Sequence, residues 1–327
     1  MSKILVTGGT GVIGRHAAKL LSERGHGIRI LSRRAKPDVP MLHNCANIEY
    51  AQGDVRDPAS LVAAFEGCEA AVLSHQFQNF PVENPKHNET FDAVDRVGTA
   101  NCVRAALSSR QHFERSEAES RNAGVSRLVY ISGIALSNPN PPHPGVEAKL
   151  AAERAVFASG ISSISLRVNV VYAPDDKYFP LLARAARFSP LVPIPAGGKS
   201  RCAPIHVADV AQAITFAVER QEVGGIVSVC GTDMVTWREL LLAVAEAGAG
   251  GQRWPLHIPS WLLMLAGAIG ERLPTPPLSR AAVRFATQFD QACAPPNSDE
   301  VFGFRVIGLR EGLADAFGRM QMQKMNG

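Results

Sequence analysis

The sequence predicts an α/β protein: a doubly wound parallel sheet with a smaller, mostly helical C-terminal lobe. Three observations carry that prediction. Short β-branched runs alternate with longer amphipathic stretches through the first half, a glycine-rich turn joins the first such pair, and beyond Tyr172 the pattern gives way to Pro/Gly-rich connections and helices.

Strands are expected at KILVT, GIRILS, NIEYA, AAVLS, RLVYIS and SISLRVNVV, with helices beginning near Val12, Pro58, Asn88 and Gly145. Right-handed crossovers place such helices on both faces of a parallel sheet, and ligands gather at the carboxyl ends of its strands. After Tyr172, YAPDDKYFP and VPIPAGGKSRCAP are connections, whereas TWRELLLAVAEAG and SRAAVRFATQF are expected to be helical. HVADVAQAITFAVERQEVGGIVSVCG has the pattern of a helix followed by a buried strand, so the chain is expected to return to the sheet before finishing outside it. The polar run SSRQHFERSEAESRN, 108 to 122, separates an apolar helix from a strong strand. It is expected to be a helix extension or surface loop with a solvated face, a more economical account than a partner-binding role.

Composition narrows the function classes. The 327 residues are 46% hydrophobic and 20% charged, as in ordinary globular proteins, and the formal net charge is +4 with no sustained Lys/Arg block. That balance speaks against a nucleic-acid partner and suits a small anionic ligand. Cys45, Cys68, Cys102, Cys202, Cys230 and Cys293 include no C-x-x-C pair, so neither a metal site nor a disulfide framework is expected, and reduced thiols in the cytoplasm are. MSKILVTGG runs straight into strand and turn, without the regions of a signal peptide. The longest apolar stretch, IPSWLLMLAGAIG at 258 to 270, falls short of the roughly 20 residues of a spanning helix. It is expected to be a core or interface helix, with contact to a membrane surface or a protein partner as the alternative.

ILVTGGTGVIGRH sets Gly8, Gly11 and Gly14 directly after a strand and at the head of an amphipathic helix. Glycine permits the tight turn and lets a pyrophosphate approach without meeting a Cβ, while the first amides of the helix supply donors. Thr7, Val12 and Ile13 frame the same turn. This is a Rossmann dinucleotide site, and residues 1–172 with about 205–231 form the expected binding domain, leaving about 173–204 and 232–327 for a substrate or partner lobe. NAD sites place an acid at the end of the second strand, whereas here Ser32, Arg33 and Arg34 stand there. Guanidinium groups suit a 2′-phosphate in charge and geometry, so NADP is expected, with NAD as the weaker alternative.

With these residues the chain resembles the short-chain dehydrogenase/reductase superfamily, in its extended and atypical branches. Those branches include nucleotide-sugar epimerases and dehydratases and the NADPH-binding subunit of respiratory complex I. VTGGTGVIG matches the T-G-x-x-G-x-x-G turn, GDVRD the third-strand signature, and GVSRLVYIS, LRVNVVYAP, PIHVADVAQAI and FRVIGLREGLADAF the later segments in order, over nearly the whole chain. The resemblance implies that Asp54 hydrogen-bonds the adenine while Val55 packs on it. Ser74 and His75, after the fourth strand, are expected at the carboxyl edge facing nicotinamide or substrate.

Catalysis in such proteins uses a tyrosine and a lysine at i and i+4 on one helix face, with a Ser/Thr orienting the substrate. Lys149 matches the lysine, but four residues before it stands Gly145, and none of Tyr50, Tyr130, Tyr172 and Tyr178 falls on that helix. Ile134 occupies the expected hydroxyl position, leaving Ser132 or Ser137 as substitutes, and Asp95 replaces the usual asparagine. Lys149 is expected to hold the nicotinamide ribose. His143, two residues before Gly145, is a candidate acid/base. His206 and Asp209 are expected to serve the return helix, Arg167 packing or a carboxylate partner, and Lys199 and Arg201 an anionic substrate. Two functions follow: an NADP-dependent oxidoreductase or epimerase/dehydratase-like enzyme, or an NADP(H)-binding scaffold, assembly subunit or redox sensor without turnover.

Overall fold

The structure, a computed structural model, describes residues 2–115, 124–138, 142–273, 278–288 and 290–318. The first six strands are β1 (Lys3–Thr7), β2 (Gly27–Ser32), β3 (Ile48–Gln52), β4 (Ala70–Leu73), β5 (Arg127–Gly133) and β6 (Ser162–Val168). After them come β7 (Val171–Tyr172), β8 (Leu191–Pro195), β9 (Arg201–Cys202), β10 (Ile205–His206), β11 (Gly225–Val229), β12 (Val235–Thr236) and β13 (Trp254–Ile258). Seven of these form one parallel sheet in the order β11-β6-β5-β4-β1-β2-β3, so the strand order reverses between β1 and β4. That switch point opens a crevice at the carboxyl edge.

Alternation along each strand feeds two cores. Ile4 and Val6 face α1 (Val12–Glu23) and α6 (Val207–Glu219), whereas Leu5 faces the side of α2 (Pro58–Phe65), α3 (Thr99–Arg115) and α4 (Pro144–Ala158). Outside the sheet, α5 (Phe179–Ala185) packs on α7 (Trp237–Ala249) around Tyr172, Leu240, Val244 and Phe317. Thr236 and Glu239 form the capping box that starts α7. The remaining helices are α8 (Ser260–Gly270), α9 (Arg280–Gln288), α10 (Ser298–Phe302) and α11 (Leu309–Leu313).

Several expectations change. The run SISLRVNVV is not one strand: β6 ends at Val168, and the Asn169 side chain accepts from Val170 N at 2.8 Å and Ala203 N at 3.2 Å while donating to Gln291 O at 2.8 Å. A side chain that satisfies three backbone groups competes directly with the ladder. The helix expected near Asn88 starts three residues on: Asn88 has φ 54°, and a π-helical segment, Phe91–Gly98, begins after Thr90 and runs into α3. The polar run from 108 continues α3 as far as Arg115, and residues 116–122 lie outside the described ones. The expectation of six reduced thiols is corrected at Cys230 and Cys293, which are joined as a disulfide across 63 positions with Cα atoms 6.4 Å apart. The chain after α9 returns alongside the end of β11, and a spacing of that length carries no motif.

Arg127, fully buried at the start of β5, carries no motif in the sequence. Its guanidinium donates to Ala217 O at 2.8 Å, Val223 O at 2.6 Å and Ser162 Oγ at 2.9 Å, closing the carboxyl end of α6. At the other end of α6, His206 caps Ala208 N, and buried Asp209 accepts Ile307 N at 3.0 Å, tying the helix to the closing segment.

Burial pushes the Asp209 carboxyl up to about 6, against the pull of the Ile307 hydrogen bond. Its ordinary value is about 3.9, so ionising it in the folded state costs stability that accrues as pH rises through that window. Between about pH 4 and pH 7 the unfolding free energy of the native protein is expected to fall relative to that of Asp209→Asn by on the order of 2 kcal/mol, measured by urea denaturation. Parallel curves for the two proteins would contradict this.

Candidate functional site

At the switch point the glycine-rich turn meets the end of β4 with no spare room. Gly8 has φ +68°, and a Cβ there would lie 2.5 Å from Ser74 O; a Cβ on Gly14 would strike the carbonyl oxygen of Gly8. Gly11 caps α1 without a side chain, so the first amides of the helix, Val12 and Ile13 among them, have no intrahelical acceptor. Thr7 Oγ1 and Ser74 Oγ bind across the junction, to His75 Nδ1 at 2.8 Å and Thr7 O at 2.7 Å respectively. A cradle that only glycine can line, backed by a helix N-terminus, fits a pyrophosphate.

From that turn a cleft runs outward between Gly8, Ser32, Arg33, Asp54, Val55 and His75, with Glu89 on its far wall. The structure therefore gathers most of the residues expected to hold a dinucleotide. Two contacts in this cleft have no signature in the sequence. Arg56 holds both oxygens of Asp54, with Nε 2.9 Å from Oδ1 and Nη2 2.5 Å from Oδ2, and also donates to His87 O and Asn88 O. Burial alone would raise the Asp54 carboxyl, but the Arg56 hydrogen bonds carry it below the usual range. Arg33 Nη1 lies 3.2 Å from Glu89 Oε1, an acid contributed by the segment after β4 and not by β2. Arg34 is exposed, and its backbone N–H donates to Ser32 Oγ at 3.1 Å.

The inner end of the cleft holds the departures. A Cβ on buried Gly145 would lie 2.6 Å from Phe91 Cε1, so the phenylalanine ring fills the space in front of that position. Phe91 is held by Phe77 at 5.1 Å, Phe80 at 5.7 Å and His143 at 5.6 Å between ring centroids, all near edge-on. Lys149 Nζ is 2.8 Å from Asp95 Oδ1, with Asp95 buried and the Lys149 side chain 13% exposed. Burial pulls the Lys149 ammonium down, but the Asp95 carboxylate more than offsets it and holds the group above its ordinary value. Lys149 also lies 5.9 Å over the Tyr130 ring, whose phenol burial pushes up to about 12.

The candidate proton carriers are placed as follows. His143 caps α4: Nδ1 accepts the Gly145 N–H at 3.0 Å, which leaves the hydrogen on Nε2 for Ala281 O at 3.2 Å, and burial lowers its pKa. His75 bridges Thr7 and Thr99, with Nε2 3.1 Å from Thr99 Oγ1, and burial brings it down to about 3, so it is neutral near pH 7. Ser137 Oγ accepts from Arg167 Nη1 at 3.4 Å, and Arg167 pairs chiefly with Glu153, at 2.6 Å. Ser132 Oγ is buried without a hydrogen-bond partner among the described residues, and Ile134 is buried as well. Arg201 pairs with Asp290 on the surface and Lys199 is exposed, so the structure does not bring either to the cleft. Only the Asp95 departure gave a sequence signal of this packing; Phe91 gave none.

A family model described as the NAD dependent epimerase/dehydratase family matches residues 4–230. The chain belongs to this family. Among curated proteins it is 28% identical over 268 residues to the ceramide reductase of Caulobacter vibrioides, covering 81% of this chain and 76% of that protein. It is 22% identical over 263 residues to the mitochondrial NADH dehydrogenase [ubiquinone] 1 alpha subcomplex subunit 9 of Arabidopsis thaliana, covering 77% and 59%. Among solved structures, the UDP-glucose 4-epimerase of Thermus thermophilus, in complex with NAD, superposes with a TM-score of 0.71 at 22% identity over 98% of this chain and 99% of that one. That likeness shows that the two chains share one fold over nearly their whole length.

Removing one member of a buried ion pair leaves the other uncompensated. Lys149→Met is expected to cost about 3–5 kcal/mol in chemical denaturation. The double variant Lys149→Met with Asp95→Leu should recover most of that loss, whereas additive losses would show that the pair does not hold α4 to the Phe91–Gly98 segment.

Proposed function

We propose that the protein is an NADP(H)-binding member of its family that acts as a cofactor-responsive scaffold or sensor and not as a tyrosine-dependent dehydrogenase. The observation that carries this reading is the filled space in front of Gly145: Phe91 stands where a side chain reaching from that helix position would have to pass. The lysine of the pair is also committed, since Lys149 is neutralised by Asp95. A bound nicotinamide dinucleotide supplies a hydride donor or acceptor. The protein's own groups around it bind and orient: glycine-turn amides for the pyrophosphate, Val55 for the adenine face, Arg33 and Arg34 for a 2′-phosphate. Glu89, which holds Arg33 through one contact at 3.2 Å, competes with that phosphate for the guanidinium, so Glu89 sets how strongly the extra charge is favoured. The Arabidopsis relative, a protein named as a subunit, is consistent with the scaffold reading.

A reductase is the second reading. It is favoured by the curated relatives named as reductases, including the 2-alkyl-3-oxoalkanoate reductase of Stenotrophomonas maltophilia at 25% identity, covering 95% of this chain and 97% of that one. Ser132, whose hydroxyl has no partner among the described residues, would then be the group to orient a substrate oxygen.

Calorimetric titration tests the cofactor assignment, and a turnover assay separates the two readings. NADPH is expected to bind more tightly than NADH, Arg33→Ala with Arg34→Ala to weaken NADPH by about tenfold or more with little effect on NADH, and Glu89→Gln to strengthen NADPH selectively. A native preference for NADH would reject the arginine assignment. Incubation with NADPH and a panel of carbonyl and nucleotide-sugar compounds should show no turnover. Turnover that disappears in Ser132→Ala would replace the scaffold reading with the reductase one.

A further inference from the structure

Helix α8 is packed the wrong way round for a core helix. Its buried positions are Gly267 and Gly270, where a Cβ would come within 2.9 Å of Arg280 N and 2.5 Å of Leu278 O, so the helix lays its glycines against the start of α9. Its large side chains point out: Trp261 is 67% exposed, Leu265 51% and Ile269 55%, one above another at a spacing of four, with Leu262 beside them. An amphipathic helix ordinarily buries such a face.

The exposed surface continues onto the neighbouring ribbon. β8 and β13 pair in parallel with Leu191 opposite Trp254 and Pro193 opposite Leu256, and all four are exposed. The alternate residues Val192 and Ile194 are buried together with Ala245 of α7, so one face of the ribbon is core and the other is open. Only Pro259 separates β13 from α8, so the exposed face of the helix follows directly on that of the ribbon, and Phe188 just before β8 is exposed as well. Exposed apolar surface of this extent marks an interaction site.

The surrounding charge indicates the kind of partner. The segment 177–204 contains Lys177, Arg184, Arg187, Lys199 and Arg201 and no Asp or Glu, although Asp290 pairs with Arg201; the segment 247–270 contains Arg253 and His257 and no Asp or Glu, with Glu246 before it and Glu271, paired with Arg280, after it. Two of the three tryptophans of the chain, Trp254 and Trp261, lie on this face. Apolar residues and tryptophan beside segments with more basic than acidic residues match the interface of an anionic bilayer. A second copy of the same face would set like charges against each other. No described helix is long and apolar enough to cross a membrane, so contact would be at the surface.

We infer that α8 and the open face of the β8–β13 ribbon form a docking surface for anionic lipid membranes, with Trp261 and Leu265 entering the interface and exposed basic residues of the adjoining segments, Arg184 and Lys199, meeting the headgroups. The inference is independent of what the dinucleotide cleft binds. Co-sedimentation of the full chain with phosphatidylcholine vesicles, with and without phosphatidylglycerol, tests it. Binding is expected only with phosphatidylglycerol, to weaken in high salt, and to be accompanied by a blue shift of tryptophan emission. Trp261→Glu with Leu265→Glu should reduce binding by about tenfold or more. Because both side chains are exposed, the unfolding midpoint should stay unchanged, which keeps loss of binding distinct from loss of fold. Equal binding to both vesicle types, binding retained in the double variant, or a dimer in sedimentation velocity that the same substitutions dissolve would each overturn the assignment, the last in favour of a second copy.

Discussion

The tightest constraint in the molecule is between two stretches of backbone. The turn after β1 passes so near the end of β4 that position 8 has no room for a Cβ, and α1 begins so near that turn that position 14 has none either. Because β1 and β4 flank the reversal of strand order, this contact fixes both the crevice and the direction of α1, whose N-terminus opens into it. The cleft walls follow from it. Ser32 and Arg33 arrive at the end of β2, Asp54 and Val55 after β3, and Ser74 and His75 after β4, all at the same edge because every strand in the sheet is parallel.

Charges in and beneath the cleft mostly pair with one another. Asp54 is held by Arg56, Arg33 by Glu89, Lys149 by Asp95 and Arg167 by Glu153. The outer two pairs are partly exposed, and a ligand can compete for them with little loss. The inner pairs are buried, and taking one member away leaves a charge without water or partner. The arrangement is soft where a nucleotide's ribose and base would lie and rigid beneath the nicotinamide end. Phe91, packed by Phe77 and Phe80, reinforces that rigidity. This gradient favours binding over proton transfer.

The surface built by α8 and the ribbon stands apart from this pairing. Inside, every apolar side chain of β1 finds a helix to cover it; outside, Trp261, Leu265 and Trp254 stand exposed. The glycines on the inner side of α8 let it sit close to α9 while its larger residues face away. Packing of small residues anchors the helix in this pose, and its larger apolar residues are left for the membrane surface proposed above.

Strand positions, the glycine turn and the missing tyrosine were legible in the sequence because each is local: period-two alternation, a glycine spacing, and two positions four apart on one helix. The boundary at Val168 was not, since Asn169 breaks the strand through contacts with Ala203 and Gln291 far along the chain. Arg33 and Arg34 announced a cationic strand end, but Glu89 came from another crossover, and Gly145 announced an absent donor without revealing that Phe91 had taken the space. Cys230 and Cys293, Asp95 and Lys149, and Arg127 and the end of α6 are pairings of the same kind. Their residue types are ordinary when taken alone, and they acquire meaning only when the sheet order and the return of the chain bring distant segments within a few ångströms of each other.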